Sequence, residues 1–305
     1  MNTTALQHPP RELVAAPDLP DIFAPRRSLR GFAGLWRKHP TMVIASAVLL
    51  LLVLIAICAP LLTSIDPNAL SPARRSRAPS AEHWFGTDKL GRDIYARIIY
   101  GARVSLIVGF TVALLATVAG TLLGLVAGFI RWADSLVMRV MDGLMAIPSI
   151  LLAIALVAVT QGGMANVIIA LTIAEFPRVC RLVRSVVLSI RELPFIDGAV
   201  TSGNSTARIV FRHVLPNTVS ALTVQATYIC ASAMVLEAIL SFIGAGVPTT
   251  IPTWGNIMAD GRSLWQVKPH MVFFPAVFLS ITVLAVNLLG DGLRDALDPR
   301  LAKGL

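Results

Sequence analysis

Apolar residues in this chain come in long unbroken blocks, with polar residues gathered between them. Met42–Leu62, Val104–Ile130, Gly143–Ala174 and Met271–Gly290 run for 21, 27, 32 and 20 residues without a charged side chain. About 20 helical residues cross a ~30 Å hydrocarbon core, so blocks of this length read as membrane spans. Six spans are expected, at about 42–62, 104–130, 136–159, 164–187, 218–245 and 271–290. The pattern predicts an all-α integral membrane protein, and a soluble core is set aside. The fourth span is the weakest, because Glu175, Pro177, Arg178, Arg181 and Arg184 occupy its second half. An arginine at the bilayer centre costs at least ~2.5 kcal/mol. That half is therefore expected to leave the bilayer, with its arginines solvated or paired.

Between the fourth and fifth spans lies a polar island, Leu193–Pro216, far longer than a turn requires. Phe195–Ser202 can form a short helix that Gly203 breaks. Asn204 or Ser205 can then cap a second helix, in which Ala207, Val210, Phe211 and Val214 recur at helical spacing. Pro216 suits a first helical turn and disfavours continuous helix across Leu215. Two readings stand: a short helix lying along the membrane and tied to two spans, hence a mechanical lever, or an ordinary amphipathic surface loop.

Charge sets the orientation. Lys and Arg number 17 on the side that would hold both termini and the island, against 9 on the other. The excess predicts cytoplasmic N- and C-termini and a cytoplasmic island. Seven of the 9 lie in one long loop, residues 64–103, and long loops follow this rule less well. Only 14% of residues are charged, well below the ~25% of soluble domains. The net charge of +9 lies mostly between spans and forms no basic domain with interleaved aromatics, so a nucleic-acid partner is excluded and membrane lipid is the expected neighbour.

Residues 1–38 read as a cytoplasmic tail and 39–305 as one transmembrane domain that includes the island. Residues 1–25 hold five prolines and read as disordered. Next, Leu29, Phe32, Ala33 and Trp36 fall on one helical face among Arg27, Arg30, Arg37 and Lys38. This is either an interfacial helix on an anionic leaflet or a plain basic flank. About 40 residues precede the first span and no small-residue cleavage site follows, so that span reads as retained.

Candidate chemistry is sparse. Cys58, Cys180 and Cys230 sit in apolar segments without ligand spacing, which predicts neither disulfide nor metal site. None of the four lysines follows a glycine, so the chain lacks a phosphate-binding loop. No nucleophile–base pair is evident, and no catalytic residue is expected. Gly120, Gly124 and Gly128 form a flat stripe on which another helix can pack closely. Glu237, deep in the fifth span, is a candidate for the translocation path, although pairing with a neighbouring helix or protonation would serve as well. Asp142 and Asp291 read as solvated caps or as contacts to a partner.

The island resembles the coupling loop of ABC-importer permeases, patterned E-A-A, three residues, G, some nine residues, then I-x-L-P. The matching positions are Asp197-Gly198-Ala199, Gly203, Ile209 and Leu215-Pro216. His83–Asp93 (HWFGTDKLGRD), Tyr100–Leu106 (YGARVSL), Leu240–Gly244 (LSFIG), Pro252–Gly255 (PTWG) and Asn287–Asp295 (NLLGDGLRD) are similar to the C-type permeases of dipeptide, oligopeptide and nickel importers. The resemblance covers about residues 36–302. It implies the type I importer architecture, with six helices pairing with a second, related permease. It also implies two cytoplasmic ATPases that carry ATP and Mg, and an extracytoplasmic binding protein at the bacterial inner membrane. This chain itself would bind no cofactor.

The resemblance assigns ATPase coupling to Asp197, Gly198, Ala199, Gly203, Ile209, Arg212, Leu215 and Pro216. Two positions depart from the pattern: Asp197 replaces the usual Glu, and Gly198 the first Ala. Glycine costs up to ~1 kcal/mol relative to alanine inside a helix, so the first coupling helix is expected to be less preformed. The implied function is translocation of short peptides or a related solute by alternating access. Dipeptide, oligopeptide, glutathione-like peptide and nickel all remain open as substrate. An ion-gradient-driven transporter or channel is the alternative; it predicts paired intramembrane charges and internal repeats, and neither is evident.

Overall fold

Long apolar blocks leave the backbone one economical solution, to satisfy its hydrogen bonds within helices. The computed structural model describes residues 40–160 and 162–297, and among these the regular structure is helical throughout. In chain order the helices are α1 (Pro40–Ile57), α2 (Ile94–Phe129), α3 (Arg131–Met145), α4 (Ser149–Val159), α5 (Met164–Arg191), α6 (Pro194–Thr201), α7 (Thr206–Ile209), α8 (Leu215–Ile243), α9 (Trp254–Gly261) and α10 (His270–Leu297). A helical turn, Ala59–Leu62, follows α1, and a π-helical turn, Val210–Val214, joins α7 to α8. The readings made for residues 1–38 fall outside the described residues.

Four stretches are long and apolar enough to cross a bilayer: α1, α2, the continuous helix Thr206–Ile243, and α10. A fifth is added if α3 and α4 count as one broken span. Leu50, Leu51, Leu54 and Ile57 of α1 are exposed, as are Ile107, Phe110 and Leu114 of α2. Helices apolar on every side present that surface to lipid. α2 has 36 residues, or about 54 Å at 1.5 Å per residue, so it is longer than the ~30 Å core.

The centre of the bundle is the parallel pair α2–α5. A Cβ placed on Gly120 would run into Val179 Cβ; on Gly124 it would stand 2.7 Å from both Cys180 O and Val183 Cβ; on Gly128, 2.5 Å from Val187 Cγ1. Glycines four apart on α2 thus receive valines four apart on α5, and the two backbones meet almost directly. Arg191 Nη1 donates to Gly128 O at 2.6 Å and closes that end of the pair. α8, α1 and α10 pack around it, with Gly290 against Thr227 and Gly292 against Met42.

Two expectations need correction. The third span, expected as one helix over 136–159, is two helices meeting at 90°. Pro148 starts α4, and a proline pushes the residue before it out of helical geometry. Gly143 and the apolar run hid this break. The fourth expected stretch, 164–187, is helical as expected, within one helix of 28 residues that runs through Pro177 to Arg191. Finally, the chain does not stop at Leu215-Pro216. The π-turn widens the helix just ahead of Pro216, and Leu215 N bonds to Val210 O. Such a bulge relieves the missing donor and the ring clash that a proline brings.

Candidate functional site

The island is held between the end of α5 and the start of α8. Leu193 is the extended N-cap of α6, and Pro194 occupies its first turn, where the absent N–H is no loss. α6 ends at Ser202, and Gly203 reverses the chain at φ +78°, a left-handed conformation that glycine adopts without penalty. Gly203 N bonds to Val200 O at 2.9 Å, while Asn204 N and Nδ2 both donate to Ala199 O. Ser205, the actual cap of α7, accepts from Arg208 N.

The island's buried face differs from the expected one. Ile196 and Ala199 of α6 turn inward, together with Ile209 and Val214. Of the predicted stripe, Ala207 and Phe211 are exposed and Val210 only half-buried; Val214 alone is buried. Ile209 and Val214 are five residues apart, the spacing a π-turn places on one side. The outward face carries Leu193, Phe195, Val200 and Phe211, the last 68% exposed, beside exposed Asp197, Gly198 and Arg212. The Phe195 and His213 rings lie 6.1 Å apart and bring α6 against the π-turn. Of the other proposed coupling residues, Leu215 is half-buried and Pro216 exposed.

Gly198 has open space around its Cβ position. Its Ala variant is therefore expected to stabilise α6 by up to ~1 kcal/mol without disturbing a contact. Slower amide exchange in Pro194–Thr201 would register the gain, and unchanged exchange would refute it.

The arginines of α5 find acids. Arg184 pairs through two nitrogens with Asp134, Nη2 at 2.6 Å from Oδ2, and Arg181 Nη2 lies 2.6 Å from Asp142 Oδ1. Both acids belong to α3, so Asp142 is tied to α5 and is not a bare cap. The Arg181–Asp142 pair is largely exposed and adds little stability. Arg178 reaches fully buried Glu175 at 3.3 Å. Glu237 sits 22 residues beyond Leu215, about 33 Å along the helix. It is buried and accepts from Ser241 Oγ at 2.7 Å; the same hydroxyl accepts from Val247 N. Here Glu237 anchors the turn that follows α8.

Sequence reasoning missed a polar cluster at the other end of the bundle. Asp88 Oδ1 accepts from the backbone N–H of Leu90 and Arg92, and Arg92 Nε donates to Asp88 Oδ2 at 2.6 Å. Arg92 Nη2 reaches Asp260 of α9 at 2.7 Å. Arg97 of α2, fully buried, lies 3.3 Å from Asp260 and 3.6 Å from Asp88. Burial raises the Asp260 carboxyl above its ordinary value, opposed by Arg97 and Arg92. Nearby, His83 Nδ1 and Asp93 Oδ2 are 2.6 Å apart, and Trp254 Nε1 donates to Ile98 O. The family-like motifs HWFGTDKLGRD and PTWG converge on this cluster. Their spacing alone carried no such signal, because Asp260 is 168 residues from Arg92.

These apolar helices, with the structured island between α5 and α8, define a multi-pass membrane protein carrying an exposed platform at one end. Residues 120–303 match the family described as binding-protein-dependent transport system inner membrane component, and residues 35–79 match the N-terminal transmembrane domain of oligopeptide transport permease C. The chain belongs to the binding-protein-dependent inner-membrane permease family, and it is a multi-pass protein of the bacterial inner membrane. It is 50% identical over 277 residues to a Sinorhizobium fredii protein named "Probable peptide ABC transporter permease protein", covering 91% of this chain and 95% of that one. Identity is 46% to the dipeptide transport system permease protein of Alkalihalophilus pseudofirmus, over 87% and 88% of the two chains. It is 37% to the oligopeptide transport system permease protein of Bacillus subtilis, over 88% of each. Among solved structures, an inward-facing MetNI methionine ABC transporter chain superposes with a TM-score of 0.56 at 20% identity, covering 67% of this chain and 98% of that one. That likeness is one of fold.

Proposed function

We propose that this chain is one of two related permease subunits in an ATP-driven importer of di- or oligopeptides, with the island Leu193–Pro216 as its contact to a cytoplasmic ATPase. The exposed apolar set Leu193, Phe195, Val200 and Phe211 carries this reading, because it stands on a polar connection between two long helices. Six spans with both termini cytoplasmic follow if α5 and the bent pair α3–α4 each cross the membrane. The excess of Lys and Arg on the island side supports that orientation. The relatives' names supply the peptide class.

The island joins the end of α5 to the start of α8, so a push on α6 is transmitted to both. ATP binding draws two ATPases together, the island is displaced, and the bundle rocks against its partner permease until the site faces an extracytoplasmic binding protein. Hydrolysis restores the inward state. Such a switch requires ATP to bind one arrangement better than the other. ATP and Mg belong to the ATPases, as this chain has no Gly-Lys-Ser/Thr loop to hold phosphates.

Gly203→Asp tests the assignment. Nothing lies within 4 Å of its Cβ position, and aspartate tolerates the left-handed region better than most residues. The variant is expected to insert normally and lose ATP-coupled uptake in vesicles containing the whole complex. Unimpaired uptake would remove the island from the coupling path. Uptake by this chain without any ATPase would favour the gradient-driven alternative.

A further inference from the structure

Between α1 and α2 an apolar groove of about 490 Å³ runs along the outside of the bundle, lined by Val53, Ala56, Ile57, Leu106, Ile107 and Phe110. Its one cation, Arg103, stands at the end where α1 stops. Arg103 Nε and Nη2 donate to the carbonyls of Ala56 and Ile57, the last turn of α1, and its guanidinium lies 5.6 Å from the Tyr100 ring centroid. Those bonds satisfy the carbonyls that a helix end leaves open. Nη1 makes no hydrogen bond among the described residues, and Arg103 is only half-buried. Gly128 marks the island end of α2; Arg103 lies 25 residues earlier, about 37 Å along the helix. The charge therefore sits at the opposite membrane surface.

We propose that this groove is a phospholipid site, with an anionic headgroup phosphate on Arg103 and one acyl chain against Val53, Leu106, Ile107 and Phe110. Three features fit that occupant. The groove opens among side chains that face lipid. Its one cation stands at the bilayer surface, where headgroups lie. The free nitrogen has no protein acceptor to take it. A helix of a neighbouring subunit would fill the groove but leave Arg103 without a counter-charge. Bound lipid would splint α1 to α2 at the end where α1 stops.

Native mass spectrometry of the whole transporter, extracted from nanodiscs of equal phosphatidylglycerol and phosphatidylcholine, tests this. The wild-type complex is expected to retain phosphatidylglycerol with a roughly fivefold preference, the size expected of one basic side chain at an anionic surface. Arg103→Gln is expected to abolish the preference and Arg103→Lys to keep it. Ile107→Trp, which fills the groove and spares Arg103, is expected to lose the lipid altogether. Equal retention in wild type, Arg103→Gln and Ile107→Trp would overturn the proposal. So would Ile107→Trp releasing a permease partner while lipid counts stay constant, which would give the groove to a helix.

Discussion

Gly124→Leu is expected to prevent the bundle from assembling. A Cβ at this position already falls 2.7 Å from Cys180 O and from Val183 Cβ. The first of these is backbone in the middle of α5 and cannot rotate away. One or two extra methylenes forced into a packed site cost ~1–3 kcal/mol, and here a four-carbon side chain must fit where two helices touch. The helices would have to separate along the whole stripe, losing the fits at Gly120 and Gly128 with it. Expected results are a large drop in folded yield after membrane extraction and no resolvable thermal transition. Gly124→Ala is the graded form, with a lowered Tm, because its methyl meets one backbone oxygen and one Cβ, neither of which can rotate away. Gly143→Ala, at a site with nothing within 4 Å, is the control and should leave Tm unchanged. A Gly124→Leu variant that melts like the wild type would mean that the α2–α5 contact does not hold the bundle together.

How far the sequence led can be judged from these same residues. A stripe of glycines four apart is legible because it needs only one helix to be read, yet the valines that fill it at 179, 183 and 187 gave no signal alone. The long helices follow from block length, since nothing but a helix satisfies so many backbone groups in lipid. The bend at Pro148 follows the rule about proline, which the expected single span passed over, while the continuity through Pro216 goes against it. At Pro148 the preceding residue leaves helical geometry; at Pro216 an extra residue in the turn absorbs the ring. Which outcome prevails depends on packing, and no local pattern encodes that. The π-turn also explains the misassigned island face, because a period of 3.6 selects Ala207 and Phe211 where the widened turn selects Ile209. The acids that meet the α5 arginines were visible as charges but not as partners, being 39 and 50 residues away.

The second large effect concerns the buried charges near Asp88. Asp88→Ala is expected to destabilise the protein severely, while Arg97→Met should leave its stability nearly intact. Asp88 accepts two backbone N–H groups, binds Arg92 and lies near Arg97. Removing it leaves two almost wholly buried guanidinium groups with one shared acid, Asp260. Breaking a buried pair from one side costs ~3–5 kcal/mol, because a charge is stranded. Arg97 is different: its Nε, Nη1 and Nη2 make no hydrogen bond, and its acids stand at 3.3 and 3.6 Å. Arg92 keeps its bonds to both acids after the change, and the carboxylate left without a countercharge is Asp260, whose side chain is 21% exposed and reaches water, so less charge is stranded in the interior than in Asp88→Ala. Thermal unfolding of the purified complex would separate the two variants, and similar Tm values would show that the charges do not act as this geometry requires. Uptake by Arg97→Met then decides whether the residue serves transport. A fully buried, poorly bonded arginine that adds nothing to stability should make better bonds in another conformation. Transport is therefore expected to fall in a variant that folds as well as the wild type, and full transport would reduce Arg97 to a passive element of the bundle.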